Sequence, residues 1–232
     1  MQINKLLTNV NYKKGTNREI KYIVVHYVGA TGGAEANCKY FQSTYRGSSA
    51  HYFVGHQGEV WQCVEDKNIA WHCGANRYKH AYCRNDNSIG VELCCRYSNG
   101  TWYFEDATLN AAFALIKELM SKYNIPVTNV VRHYDVTGKL CPEPFVRDNI
   151  AWDTFKASLT SKSTLGYMVR VTANELNVRK GAGVGYKVVT VVKKGEAFTI
   201  VDERNGWGKL KSGRGWIKLS YTEKVSNAAN KS

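Results

Sequence analysis

Apolar residues alternate along Lys21 to Tyr27, KYIVVHY, so that Ile23 and Val25 face one way while Tyr22, Val24 and His26 face the other. A period of two over this length predicts a β-strand. From Ala34 the period lengthens, with Ala34, Cys38, Phe41 and Tyr45 on one stripe, and an amphipathic helix from Ala34 to Tyr45 is expected. Arg46 to Ala50 breaks it. Two β-rich runs, HYFVG and EVWQCV, then flank His56 to Gly58 and predict a hairpin. Residues 69 to 90 are rich in glycine and asparagine and read as a long loop, a kind of segment that is often functional. Ser88 to Cys95 returns to alternation, with Ile89, Val91 and Leu93 opposite Gly90, Glu92 and Cys94.

A helical stripe of Leu109, Ala112, Phe113, Ile116, Leu119 and Tyr123 follows, with Asp106 or Thr108 placed to cap it. Ile125 to Val131 is apolar and expected to end in a strand, and Val146 to Leu159 reads as a helix with Ile150, Phe155 and Leu159 inward. Strands alternating with helices predict an α/β domain, a mixed central sheet flanked by helices, over residues 1–160. SerLysSerThrLeuGly, 161–166, reads as a linker. Residues 167–225 contain only short β-rich runs divided by turns, which predicts a small all-β barrel.

Composition narrows the class. Hydrophobic content of 44% and charged content of 22% fit a soluble globular chain and speak against disorder. No apolar run reaches membrane length and the N-terminus lacks the apolar core of a signal peptide, so synthesis in the cytoplasm without membrane insertion is expected. The net charge is +13, and residues 163–232 carry +8 of it. Such a surface suits nucleic acid, anionic lipid or an anionic wall polymer, or is simply solvated. Fifteen tyrosines suit a surface that grips sugars or peptides. The seven cysteines form no CxxC pair and read as buried apolar residues or free thiols, with one disulfide among Cys63, Cys73 and Cys83 as the alternative.

The candidate chemistry gathers in VRHYDVTGKLCP, Val131 to Pro142, which holds His133, Lys139 and Cys141. Imidazole and thiolate are both good zinc ligands, and a catalytic zinc site needs three protein ligands and one open position. The third must come from elsewhere. In an extended segment Lys139 and Cys141 would project to one side, aiming an ammonium at whatever the metal holds. His26 taken alone reads as a core histidine at the end of an apolar strand. Glu92 is costly to bury unless paired, so it either lines a cleft or joins a salt bridge.

Taken together, KYIVVHY, SAHYFV at 49–54, IAWHCG at 69–74, SIGVEL at 88–93 and RHYDVTGKLCP at 132–142 resemble the type-2 N-acetylmuramoyl-L-alanine amidase family, zinc amidases that include phage lysozyme-like amidases and peptidoglycan recognition proteins. The tail, with LNVRKGAGVGYKVV and Gly-Trp pairs at 206–207 and 215–216, resembles a bacterial SH3-type wall-binding module. The resemblance implies that His26, His133 and Cys141 bind one Zn²⁺. It implies hydrolysis of the amide between the lactyl group of N-acetylmuramic acid and L-alanine in peptidoglycan, by water activated at the metal. Glu92 is then the proton-transfer group and Lys139 the partner of the developing oxyanion.

Other branches of the family carry a tyrosine where this chain has Ala50, which moves weight onto Glu92. Tyr52, read on the same strand face as Ala50, is a secondary substrate contact. His72 matches a substrate-binding position, His51 is expected to order the strand beneath the site, and His56 and His80 to be exposed. The thiolate of Cys141, where some relatives use aspartate, makes the site softer and open to oxidation.

An enzyme of the endolysin or autolysin kind is the leading reading, since a wall-binding tail is of no use to a recycling amidase working on soluble fragments. A non-catalytic peptidoglycan-binding protein is the alternative, though such relatives usually lack a zinc ligand. Nucleic-acid binding is set aside, because no recognition helix or RNA-binding signature accompanies the basic residues.

Overall fold

The computed structural model describes residues 1–160 and 167–225; the expected linker, 161–166, lies outside the described residues. The chain divides into two compact units, Met1–Ser161 and Lys162–Ser232.

The first unit runs β1 (Asn4–Lys5), β2 (Tyr22–Tyr27), α1 (Ala34–Gln42), β3 (Tyr52–Val54), β4 (Val60–Gln62), β5 (Ser88–Leu93), β6 (Arg96–Ser98), β7 (Thr101–Tyr103), α2 (Asp106–Tyr123), β8 (Val130–Arg132), α3 (His133–Thr137), α4 (Glu143–Arg147) and α5 (Asn149–Thr160). Six strands form one sheet in the order β1-β4-β3-β5-β2-β8. Its centre, β3, β5, β2 and β8, is parallel, while β3 and β4 form the expected antiparallel hairpin.

The alternation read in the sequence decides the two faces. Ile23 and Val25 of β2 with Ile89, Val91 and Leu93 of β5 pack against α2 and α5, each large side chain contributing about 1.5–3 kcal/mol by leaving water. The opposite face carries Tyr22, Val24, Val131 and Val136 with Cys73 and Cys83, and beside them Ala34, Cys38, Ala50, Phe53, Cys63 and Cys94. All seven cysteines are buried and free.

Several helix boundaries depart from expectation for local reasons. Helix α1 stops at Gln42 rather than Tyr45. There the Phe41 carbonyl accepts from Thr8 Oγ1 at 2.6 Å and Asn11 Nδ2 at 2.7 Å, and Asn11 also takes the Thr44 carbonyl at 2.7 Å. No side chain caps α2; Thr108 instead donates to the Gly55 carbonyl at 2.9 Å. The helix expected from Val146 to Leu159 is two helices. Asp148 Oδ1 accepts the Ala151 N–H at 2.9 Å and restarts the winding, as an N-cap does. That rotation buries Trp152 with Phe155 and Leu159 and leaves Ile150 80% exposed.

The second unit is all-β: β9 (Tyr167–Val171), β10 (Glu175–Arg179), β11 (Val188–Lys193), β12 (Ala197–Arg204), β13 (Trp207–Leu210), β14 (Trp216–Lys218) and β15 (Thr222–Lys224). Val169, Val171, Leu176, Val178, Val192, Ile200, Leu210 and Ile217 form its core. Asn205 (φ 50°) and Gly206 (φ 77°) join β12 to β13, the positive-φ pair that a tight hairpin turn demands. The strands of this unit pair in the order β11-β10-β14-β13-β12-β9-β15, the all-β fold expected, and among the described residues no pairing joins the two end strands.

Candidate metal centre

The site lies at the C-terminal ends of the parallel strands, where ligands of open α/β sheets gather. His26 ends the apolar run of β2 and stands in register with Glu92 of β5. On the other side Val25 pairs with Arg132 of β8, so the next residue, His133, leaves the sheet beside His26. Their rings are 4.6 Å apart, centre to centre.

Arg132 anchors this exit from below. Its guanidinium binds both carboxylate oxygens of Asp135, at 3.1 and 2.9 Å, and donates to the Phe145 carbonyl at 2.9 Å and to Asn149 Oδ1 at 2.8 Å. The chain from His133 is helical through Thr137 and then turns rather than extending. Cys141 N–H donates to the Lys139 carbonyl and Tyr134 N–H to the Cys141 carbonyl, both at 2.7 Å. The turn sends Cys141 inward, 3% exposed, and leaves Lys139 at the surface.

His26, His133 and Cys141 offer ligand atoms all within 4.8 Å of one another; Cys141 Sγ is 3.7 Å from His26 Nδ1. The edge of a tetrahedral zinc site is roughly 3.5 Å, from ligand distances of about 2.0–2.3 Å. A side-chain adjustment of under about 1 Å would therefore bring the three within reach of one such ion. The protonation states fit. Burial, with His133 and His72 nearby, holds His26 well below the ordinary imidazole value, and burial with Lys139 lowers His133 to about 4. Both rings are neutral near pH 7, as ligation requires. Burial, reinforced by Glu92, pushes the Cys141 thiol up to about 12. Two imidazoles and a thiol suit Zn²⁺, and a doubly positive ion is what would offset the thiolate's cost.

Glu92 is the fourth chemically capable group. Its Oε1 is 4.0 Å from His26 Nδ1, too far for a hydrogen bond, and its buried Oε2 has no partner. Burial pushes its pKa up to about 8, against the pull of Lys139. Of the two readings its sequence position left open, a salt bridge is the weaker, since the His26 ring it faces is 4.0 Å away and kept neutral by burial. An open cleft of about 820 Å³ is lined by Trp71, His72, His133, Thr137 and Lys139 among others, a volume in the range of ligand-binding clefts.

His26, His133, Cys141, Glu92, Lys139 and His72 are thus brought together; Tyr52 is not. The bend at 51 breaks the alternation, so Ala50 and Tyr52 belong to opposite faces of the sheet. Tyr52 is 4% exposed and donates to Asp66 Oδ1 at 2.6 Å, which makes it a core tie instead of a substrate contact. His51 does order the strand beneath: its Nδ1 accepts the Gly90 N–H at 3.0 Å and its Nε2 meets the Asn68 carbonyl at 3.1 Å. His56 is buried, 8% exposed, with Nε2 3.2 Å from the Thr31 carbonyl, so it is no loop ornament. His80 is half-buried and accepts the N–H groups of Tyr82 and Cys83. Sequence reasoning passed over Ser88 and Asn85, both bonded to the His72 segment. The signal for Ser88 was present, since alternation puts it on the face of Gly90 and Glu92.

Residues 16–144 match the family model described as N-acetylmuramoyl-L-alanine amidase, and residues 174–223 that of the bacterial SH3 domain. The N-acetylmuramoyl-L-alanine amidase CwlL of Bacillus licheniformis is 31% identical over 186 residues, 76% of this chain and 49% of that protein. XlyA of Bacillus subtilis (strain 168) is 31% identical over 166 residues, covering 70% of this chain and 52% of its own. The chain spans about half the length of the curated relatives it matches. Among solved structures, PlyL superposes with a TM-score of 0.59 at 29% identity, over 69% of this chain and 98% of that one. The catalytic domain of XlyA gives 0.57 at 29%, over 68% and 99%.

Proposed function

Because the chain belongs to the N-acetylmuramoyl-L-alanine amidase family, we propose that it hydrolyses the amide joining the lactyl group of N-acetylmuramic acid to L-alanine of the peptidoglycan stem peptide, with one zinc ion held by His26, His133 and Cys141. The observation that carries this reading is the convergence of those three ligand atoms within 4.8 Å beside a carboxyl with an unpaired buried oxygen. When bound, zinc supplies Lewis acidity, acidifying water toward neutral pH and polarising an amide carbonyl.

The remaining work falls to side chains. Glu92 Oε2 is free to accept a proton and return it to the leaving nitrogen. A carboxyl raised to about 8 exchanges protons near working pH, as an efficient general acid–base must. Lys139, on the cleft wall with His133, places an ammonium where negative charge develops on the carbonyl oxygen. Trp71, half-buried on the same wall, offers an apolar plane to a sugar ring.

In this reading residues 1–160 are the catalytic domain and 167–225 a wall-binding module, an organisation suited to an endolysin or autolysin. The module's match to the bacterial SH3 family and the net charge of +8 over residues 163–232 support attraction to anionic wall polymer. Purely non-catalytic recognition is disfavoured, since the ligands, the carboxyl and the ammonium are all present.

The test is digestion of purified walls. New amino groups on L-alanine should appear without new reducing sugars, a chelator should abolish their release, and added zinc should restore it. Reducing ends in place of amino groups, or release that survives the chelator, would refute the reading.

A further inference from the structure

We infer that His72 is a positioning residue for the metal centre: held by Ser88 and the Arg84 carbonyl, it fixes the tautomer of His26 so that Nδ1 keeps the lone pair facing Cys141. The inference rests on the metal-binding reading above and adds a role outside the three ligands.

It follows from counting protons along one chain of hydrogen bonds. The Arg84 carbonyl can only accept, and Ser88 Oγ lies 2.6 Å from it, so the single hydroxyl hydrogen is committed there. His72 Nε2, 3.2 Å from Ser88 Oγ, must then donate. A neutral imidazole protonated on Nε2 has its lone pair on Nδ1, and His72 Nδ1 is 3.1 Å from His26 Nε2. His26 therefore carries its hydrogen on Nε2. Its Nδ1 is left basic, 3.7 Å from Cys141 Sγ and 4.0 Å from Glu92 Oε1. A ligating histidine gains basicity and a fixed orientation when its other N–H is held this way.

The surroundings hold His72 in place. Asn85 Oδ1 accepts the backbone N–H groups of His72 at 3.1 Å and Cys73 at 2.8 Å. The ring also lies over Gly90, where an added Cβ would stand 2.5 Å from His72 Cγ. Glycine at 90 makes room for an imidazole, not for a turn.

The test uses the full chain with ¹⁵N-labelled histidine. In the metal-free protein, long-range ¹H–¹⁵N spectra should show both His26 and His72 in the Nε2–H form. Zinc affinity is then measured by competition with a chromophoric chelator. His72→Ala should raise the zinc Kd roughly 10–100-fold and let His26 populate both tautomers. Gly90→Ala should do the same by displacing the ring, and Ser88→Ala should act in the same direction to a smaller degree. His72→Gln, whose carbonyl oxygen can accept from His26, should recover most of the affinity; with Ser88→Ala it carries the test if His72→Ala does not fold. Parental zinc affinity and a single Nε2–H form of His26 in these variants, with loss confined to KM, would overturn the positioning role and make His72 a substrate contact. Failure of the parent to bind zinc would instead overturn the metal centre itself.

Discussion

At the scale of single residues, neighbouring side chains carry separable tasks in the proposed reaction. Glu92→Gln keeps the shape and removes the proton exchange, so turnover should fall about 10²–10⁴-fold while zinc stays bound, measured by metal content and single-turnover release of L-alanine. Full turnover in that variant would remove Glu92 from the chemistry. Lys139→Met should lower kcat about 100-fold with little change in zinc content, checked by the same two assays. The placement of these side chains was largely legible beforehand. His26 and Glu92 sit on alternating strands whose faces can be counted, and His133 and Cys141 lie in one short segment. Tyr52 was misread because alternation cannot see the bend at His51. The partnership of His72 with Ser88 depends on how a long irregular loop folds back, and no periodicity encodes that.

At the scale of elements, Asp66 ties three of them together. Its carboxylate accepts from Tyr52 of β3 at 2.6 Å, Gln62 of β4 at 3.2 Å, and Tyr123 and Lys122 of α2 at 2.6 and 2.9 Å. Lys122 is 56% exposed, so its ion pair adds little; the buried neutral donors matter more. Asp66→Ala should destabilise the first unit by about 3 kcal/mol, since Tyr52 and Gln62 lose a charged acceptor, as read by urea unfolding. Burial alone would raise the Asp66 pKa, but the bonds from Lys122, Tyr123 and Tyr52 outweigh it and hold the carboxyl below the usual carboxylate range. A depressed folded-state pKa gives stability that is present above the unfolded value and lost as pH falls through the folded one. The parent should therefore lose stability below about pH 4 more steeply than Asp66→Asn; parallel acid-unfolding curves would contradict this. Strand β5 and helix α2 were readable because their periods are long and clean. The split between α4 and α5 was not, because one aspartate restarts a helix that the apolar spacing alone leaves continuous.

At the scale of the whole molecule, the proposed reading assigns cutting to the first of two units with separate cores and holding to the second. A fragment ending at residue 160 should still release L-alanine from soluble muropeptides but sediment poorly with intact walls, and wall binding by the full chain should weaken with salt as its basic surface is screened. Equal wall binding by the fragment would take the anchoring role from the second unit. The all-β character of that unit was plain from its short apolar runs, whereas strand order depends on pairings between distant segments. All of this turns on whether one ion is held by residues 26, 133 and 141. Zinc K-edge X-ray absorption of the loaded full chain measures that directly. Two nitrogen ligands at about 2.0–2.1 Å, one sulfur at about 2.3 Å and one further light ligand are the expected result. A spectrum without the sulfur, or with no second imidazole, would contradict the account.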